Sequence, residues 1–282
     1  MIDAIKPRGK TRKAAPRGRL TAAHEIVTKA AEGVLALTFP DDCRICSTRL
    51  AGFPSYPVCP SCLALPEPLS ADAFCIQCHA PFHSEAALDL DGRCRLCRSG
   101  LTHFDAMYCV GAYEGRLRLL IQLFKYESME RLGKPLGTFL RSGYPREMSF
   151  DCLVPMPIHR RRRRERGFNQ AEVLAFELTQ ISQLPVEKLV ERRRHTAKQA
   201  GLSGKERRKN VSDAFGVPNP DRVRGKRILL IDDVLTTGAS ANACALTLKR
   251  AGASFVAILA LARADRRIGA GPEAAIALSQ FV

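Results

Sequence analysis

The stretch "ILLIDDVLTTGAS", residues 228–240, decides the fold. Its apolar run, Ile228 to Ile231, reads as a strand covered on both faces. That strand delivers two consecutive acids, Asp232 and Asp233, to its end, and a small, hydroxyl-rich turn then opens a helix. The backbone N–H groups from Thr236 through Thr237, Gly238 and Ala239 to Ser240, the hydroxyls, and the positive end of the helix together make a site for an anion. Two acids beside such a site suit phosphate alone badly. They suit a ligand that also carries sugar hydroxyls or a metal. A plain strand ending in a solvated Asp-Asp turn would leave the rest of the pattern unexplained.

Working outward, strands and helices alternate from Asp151 onward. "CLVPMP" reads as a strand, "FNQAEVLAFELTQIS" as a helix and "PVEKLVERR" as a strand. A polar, basic stretch from His195 to Asn210 precedes the strand "KRILLIDD", the helix "GASANACALTLKRAGA" and the strand "SFVAILALA". Short, fully apolar runs flanking a helix predict an α/β fold with a mostly parallel sheet covered on both faces. Ligands of such sheets bind beyond the carboxyl ends of the strands, so the loops at 155–168, 195–210 and 232–240 are expected at one edge. Upstream, "FDAMYCVGAY" predicts a strand and "EGRLRLLIQLFKY" a helix with the stripe Leu117, Leu120, Ile121 and Phe124. A further helix is expected over Leu132 to Arg141.

Composition narrows the partners. The formal net charge of +16 over 282 residues points to acidic ones: nucleic acid, phosphorylated small molecules or a membrane surface. No apolar run approaches the ~18–20 residues of a membrane span. Residues 1–20 are basic without a following apolar segment and cleavage site, which predicts a disordered tail on a cytoplasmic chain. Residues 21–40 have helical spacing, with Ile26, Ala30 and Val34 on one face, and Pro40 ends the pattern.

Eight of the 11 cysteines form four Cys-x-x-Cys pairs: Cys43/Cys46, Cys59/Cys62, Cys75/Cys78 and Cys94/Cys97. Two thiolates of one tight turn can face the same ion, and two such turns complete a tetrahedral site. Consecutive pairing makes one Zn2+ site of Cys43, Cys46, Cys59 and Cys62 and a second of Cys75, Cys78, Cys94 and Cys97; an interleaved pairing stays open. A disulfide scaffold would need an oxidising compartment, and a redox motif would not repeat four times in series. Four thiolates leave no open coordination position, so both ions are expected to be structural. Cys109, Cys152 and Cys244 lie in apolar surroundings and are expected to be buried bystanders.

The thirteen residues 228–240 resemble the signature of type I phosphoribosyltransferases, which bind 5-phosphoribosyl pyrophosphate (PRPP) with Mg2+. "VPMPIHRRRRRERGFNQA", "RRRHTAKQAGLSGKERRKNVSDAF" and the upstream cysteines narrow the resemblance to the ComF family in its double zinc-ribbon variant, over residues ~30 to ~262. The resemblance implies a type I phosphoribosyltransferase-like domain over 101–265, after a double zinc ribbon over 41–100 and before a C-terminal tail over 266–282. Asp232 and Asp233 would engage the ribose hydroxyls, and Thr236, Thr237, Gly238, Ala239 and Ser240 the 5′-phosphate. Within "RRRRRER", residues 160–166, it assigns Arg162 and Arg166 to pyrophosphate, a task that the bidentate guanidinium fork suits. Arg194, Thr196, Gln199 and Arg207 fall in a flexible loop that would close over the site.

Family members are linked to natural competence and the handling of single-stranded DNA, which implies DNA and DNA-uptake or recombination proteins as partners. Some purine-salvage relatives carry a general base three residues after the acid pair; here Thr236 stands there, and the catalytic residue is unknown. Two functions follow: a PRPP-binding protein able to transfer phosphoribosyl to an acceptor, or a non-catalytic single-stranded-DNA-binding factor that keeps the fold as an anion site.

Overall fold

The computed structural model describes residues 42–50, 55–64, 73–77, 81–82, 88–98, 103–126, 129–193, 214–236 and 238–264. The expected tails and the helix over 21–40 lie outside these, as do Cys78, Arg194, Thr196, Gln199, Arg207 and Thr237. The chain divides into two compact units, Met1–Cys59 and Pro60–Val282. In the first, an antiparallel bridge between Asp42 and Arg49 closes the turn that carries Cys43 and Cys46. Arg44 ties that turn to the next by donating its N–H to the Pro57 carbonyl at 3.0 Å.

The second unit opens with short pieces: helix α1 (Pro60–Leu63), the antiparallel pair β1 (Ala73–Phe74) and β2 (Pro81–Phe82), and helix α2 (Arg95–Arg98). A parallel sheet follows, built from β3 (Ala106–Ala112), β4 (Cys152–Pro155), β7 (Arg227–Leu235) and β8 (Phe255–Arg263) in the order β3-β8-β7-β4. Between β3 and β4 come α3 (Gly115–Tyr126) and α4 (Gly133–Arg141). Between β4 and β7 come α5 (Arg160–Arg166), α6 (Gln170–Ser182) and the small antiparallel pair β5 (Glu191–Arg192) and β6 (Phe215–Gly216). Helix α7 (Ala239–Arg250) joins β7 to β8. The α/β class expected from the sequence is the one found.

Alternation along the strands builds two cores. Cys152, Val154, Ile228, Leu230, Val256 and Ile258 pack with Cys244, Ala245 and Leu248 of α7. Cys75, Phe82, Cys94 and Cys97 belong to that same core, so the second cysteine module is continuous with it. The intervening residues Leu153, Leu229, Ile231, Ala257 and Leu259 are fully buried, and α4 and α6 pack against β8, β7 and β4.

Helices α4 and α6 approach closely through two glycines one turn apart. A Cβ at Gly133 would stand 2.3 Å from Val173 Cγ1, and one at Gly137 2.4 Å from Glu177 Cβ. Neither neighbour is a flexible tip, so the helices would have to separate. Gly137→Ala is expected to destabilise the protein by about 1–3 kcal/mol, as overpacking does, read as a lower urea midpoint.

Two expectations need correction. The arginine run was expected as loop, yet residues 160–166 form a helix. His159 caps it, its Nδ1 accepting from Arg161 N–H at 3.2 Å; Arg161 pairs with Glu165 one turn on, and Gly167 ends it at φ +80°. Arginine is a good helix former once capped. "PVEKLVERR" was expected as a strand, but only Val186 bridges β4 and only Glu191–Arg192 form a ladder. The consecutive Leu189 and Val190 are both buried in one core, which the alternation of a strand does not allow.

Candidate functional site

A cavity of about 180 Å³ lies where β4 leaves β7, beyond the carboxyl ends of the strands. β4 ends with Pro155 opposite Ile231, and Met156 donates a last N–H to the Ile231 carbonyl at 2.8 Å. β7 continues to Leu235 with β8 alone beside it among the described residues. Asp232 and Asp233 therefore lie inside the strand, on the segment that β4 no longer covers, and not at its end.

Asp233 is 9% exposed, and the Lys125 ammonium, from the last turn of α3, meets its carboxylate at 2.7 Å. Asp233 N–H donates to Asp232 Oδ1 at 2.9 Å. Removal from water, then the neighbouring Asp233 carboxylate, push the Asp232 carboxyl up to about 7; Lys125, the Asp233 N–H and Arg192 oppose the rise. Asp232 thus holds its proton more tightly folded than unfolded, at pH values between the ordinary carboxylate range and 7. Ligand-free stability is expected to fall as pH rises through that window, and affinity for a ligand that needs the carboxylate to rise through pH 7. Melting and titration series from pH 5 to 8, flattened by Asp232→Asn, check both.

The turn after β7 reaches α7 through Gly238 at φ +70°, a conformation that favours glycine. Thr236, Gly238, Ala239 and Ser240 line the cavity, so the positive end of α7 faces it. From the opposite wall come Arg162 and Arg166, one turn apart on α5 and half-buried, whereas Arg160, Arg161, Arg163 and Arg164 are exposed. Burial first, and then the charge of nearby Arg162, lower the pKa of Arg192, which also lines the cavity. Lys125, Arg162, Arg166 and Arg192 thus stand against Asp232 and Asp233, an excess of positive charge suited to a polyanion.

The segment after α5 fixes this wall. Asn169 accepts from Ala171 N–H and donates to the Met156 carbonyl at 3.0 Å. Gln170, 1% exposed, donates to the Phe124 carbonyl and accepts from the Arg166 guanidinium, both at 3.1 Å. The Phe168 ring lies 5.3 Å from that of Phe124, and Arg166 sits over the Tyr126 ring at 5.4 Å.

Of the residues singled out from sequence, the cavity gathers Asp232, Asp233, Thr236, Gly238, Ala239, Ser240, Arg162 and Arg166. It adds Lys125, which nothing in the local spacing marked because its partner is remote in the chain. It also adds Arg192, from the segment 185–193 that was expected as a strand.

The cysteines form two separate groups, each with every thiol sulfur within 4.8 Å of the others: Cys43, Cys46, Cys59 and Cys62, and Cys75, Cys94 and Cys97. None of the described cysteines is in a disulfide. The Cys46–Cys59 and Cys75–Cys97 sulfurs stand 3.6 and 3.7 Å apart. That is the edge of a tetrahedron with metal–sulfur bonds of about 2.3 Å. Backbone N–H groups support the thiolates, Cys59 to Cys43 Sγ at 3.3 Å and Cys94 to Cys75 Sγ at 3.2 Å. Both groups can hold a metal ion, and the pairing is consecutive. Cys109 and Cys152 have thiols pushed up to about 11 by burial, and that of Cys244 is raised for the same reason; none of the three belongs to these groups.

Known proteins are similar to the chain over most of its length. Competence protein F of Haemophilus influenzae is 30% identical over 180 residues, 61% of this chain and 78% of its own length. The chain belongs to the ComF family. Two other relatives of this ComF-family chain are DNA utilization protein YhgH of Escherichia coli, 28% identical over 80% of this chain and 99% of its own, and competence protein ComFC of Bacillus subtilis, 28% identical over 77% and 82%. No protein-family profile matches the chain. Among solved structures, the glutamine PRPP amidotransferase of B. subtilis is similar at 20% identity and TM-score 0.32, over 45% of this chain and 25% of that one. A phosphoribosyltransferase from Corynebacterium diphtheriae is similar at 16% and 0.31, over 56% and 74%. The fold of this ComF-family chain is defined by its own parallel strand order, β3-β8-β7-β4. Among the described residues no helix is long and apolar enough to cross a membrane.

Proposed function

We propose that this chain binds Mg2+-PRPP in the cavity beside β7 and acts in the handling of DNA taken up by the cell. One observation carries the reading: a single cavity brings together an acid pair on a strand, the N-terminal end of α7 and two arginines one turn apart. Asp232 and Asp233 accept from the ribose hydroxyls. The N–H groups and hydroxyls of 236–240 donate to the 5′-phosphate, and Arg162 and Arg166 hold the pyrophosphate as bidentate donors. Mg2+, when bound, supplies charge neutralisation of the diphosphate. Transfer of phosphoribosyl would need pyrophosphate to leave as an acceptor attacks the sugar, and these residues position the reactants and stabilise the departing charge. No carboxylate stands after the acid pair to serve as base; Thr236 occupies that place. The flexible-loop roles of Arg194, Thr196, Gln199 and Arg207 belong to the same reading.

Calorimetry with Mg2+-PRPP tests the assignment, and absence of binding by the intact protein would refute it. Arg162→Ala and Arg166→Ala are each expected to weaken PRPP about tenfold, in keeping with loss of a charge-assisted hydrogen bond. Ribose 5-phosphate, which lacks the pyrophosphate, should bind both variants as it binds the parent.

Two structural Zn2+ ions complete the proposal, one in each cysteine group. A second reading, a single-stranded-DNA-binding role independent of turnover, draws on the outward arginines of α5 and the relatives' names. Affinity for single strands that fell steeply with salt would support it.

A further inference from the structure

Lys125 is a charged group of the cavity that neither the sequence nor the roles above account for. Its setting is built. α3 ends there, and three contacts from one segment hold that end: the Phe168 ring on Phe124, Gln170 Nε2 on the Phe124 carbonyl, and the Arg166 guanidinium over Tyr126. Asn169 and Gln170, which make or anchor this clasp, are 3% and 1% exposed. The clasp presents Lys125 to Asp233 at 2.7 Å, with the two side chains only 13% and 12% exposed. A pair so enclosed is poorly screened and holds its geometry better than an ion pair in open water.

We propose that Lys125 is a specificity-determining residue: its ammonium fills the cation position on Asp233 and excludes a bare divalent ion from the acid pair. A hydrated divalent ion arriving alone would have to displace the ammonium and leave it in a cavity already lined by Arg162, Arg166 and Arg192. Such crowding of like charge opposes the exchange. An ion carried by a polyphosphate sugar removes that opposition, because its phosphates give the displaced ammonium and the arginines an anion to face. The inference rests on the PRPP reading only in its second half; the exclusion of bare metal rests on the ion pair itself.

Mn2+ is the probe, followed by electron paramagnetic resonance, first alone and then with PRPP, on the intact protein carrying its structural metal. The parent is expected to leave Mn2+ free, and Lys125→Met to bind it at least about tenfold more tightly, as removal of a close like charge requires. Adding Asp233→Asn to Lys125→Met should abolish the gain, which places the ion at the acid pair. Lys125→Arg, which keeps the charge, should restore exclusion. If the parent binds Mn2+ alone as tightly as Lys125→Met, the inference is overturned. It is overturned equally if folded Lys125→Met, checked by melting, shows no gain. The PRPP arm separates the two readings. A gain in Mn2+ affinity without PRPP binding by the parent keeps the role of Lys125 and removes PRPP; PRPP binding without that gain does the reverse.

Discussion

Asp232→Asn/Asp233→Asn is expected to lose Mg2+-PRPP binding by at least about 100-fold, since hydrogen bonds to a charged acceptor contribute about 1.5–3 kcal/mol each. The sign of this result is informative. Neutralising both acids leaves Lys125, Arg162, Arg166 and Arg192 facing the cavity without any negative charge from Asp232 or Asp233. Charge alone would then tighten every phosphate ligand. Free pyrophosphate is expected to bind the double variant at least as well as the parent, while PRPP is lost. That opposite response, read in paired calorimetric titrations, would show that the acids recognise the sugar hydroxyls or their metal. Equal gains for both ligands would mean an anion site with no sugar specificity.

The second large effect is loss of metal from the Cys75, Cys94 and Cys97 group. Apparent binding energies of about 10–16 kcal/mol for a structural Zn2+ match or exceed the ~5–15 kcal/mol by which whole domains are stable. Cys94 is 2% exposed, its N–H donates to Cys75 Sγ, and both belong to the core that covers the α7 face of the sheet. Cys94→Ser is therefore expected to remove one metal ion per chain and to lower the melting temperature of the parallel-sheet unit as a whole. Metal content by atomic absorption and melting by circular dichroism check it. Cys244→Ser, in the same core but outside the thiol group, should keep the metal. A Cys94→Ser protein with full metal content and unchanged melting would show that the thiols are packing residues only.

The sheet was legible because its signal is local. Each of Ile228–Ile231 and Phe255–Ala262 is an uninterrupted apolar run, and a run covered on both faces reads the same in any context. The 185–193 segment departs from a strand because Leu189 and Val190 are apolar for a tertiary reason, burial in the core that also holds Ala214 and Phe215, that spacing does not encode. The α5 helix was hidden by its charge: six arginines look like solvated loop until His159 and Gly167 are seen as its two ends. Cysteine pairing was read as consecutive with an interleaved closure left open, since four identical spacings permit several closures and the fold chooses between them. Lys125 shows the same limit in the site. A lysine between Phe124 and Tyr126 at the end of an apolar helix is ordinary, and its meaning lies in Asp233, which the chain brings beside it only when β7 takes its place in the sheet.

The short helix α5 has a consequence for genetics. Its turn puts Arg162 and Arg166 on the cavity side and Arg160, Arg161, Arg163 and Arg164 outside, so substitutions a single position apart fall into different phenotypic classes. If the PRPP reading holds, alleles of the inward pair fail wherever that ligand is needed. If the single-strand reading holds as well, alleles of Arg160 and Arg164 fail only where DNA is met, whereas Arg161 and Arg163 already pair with Glu165 and Glu172.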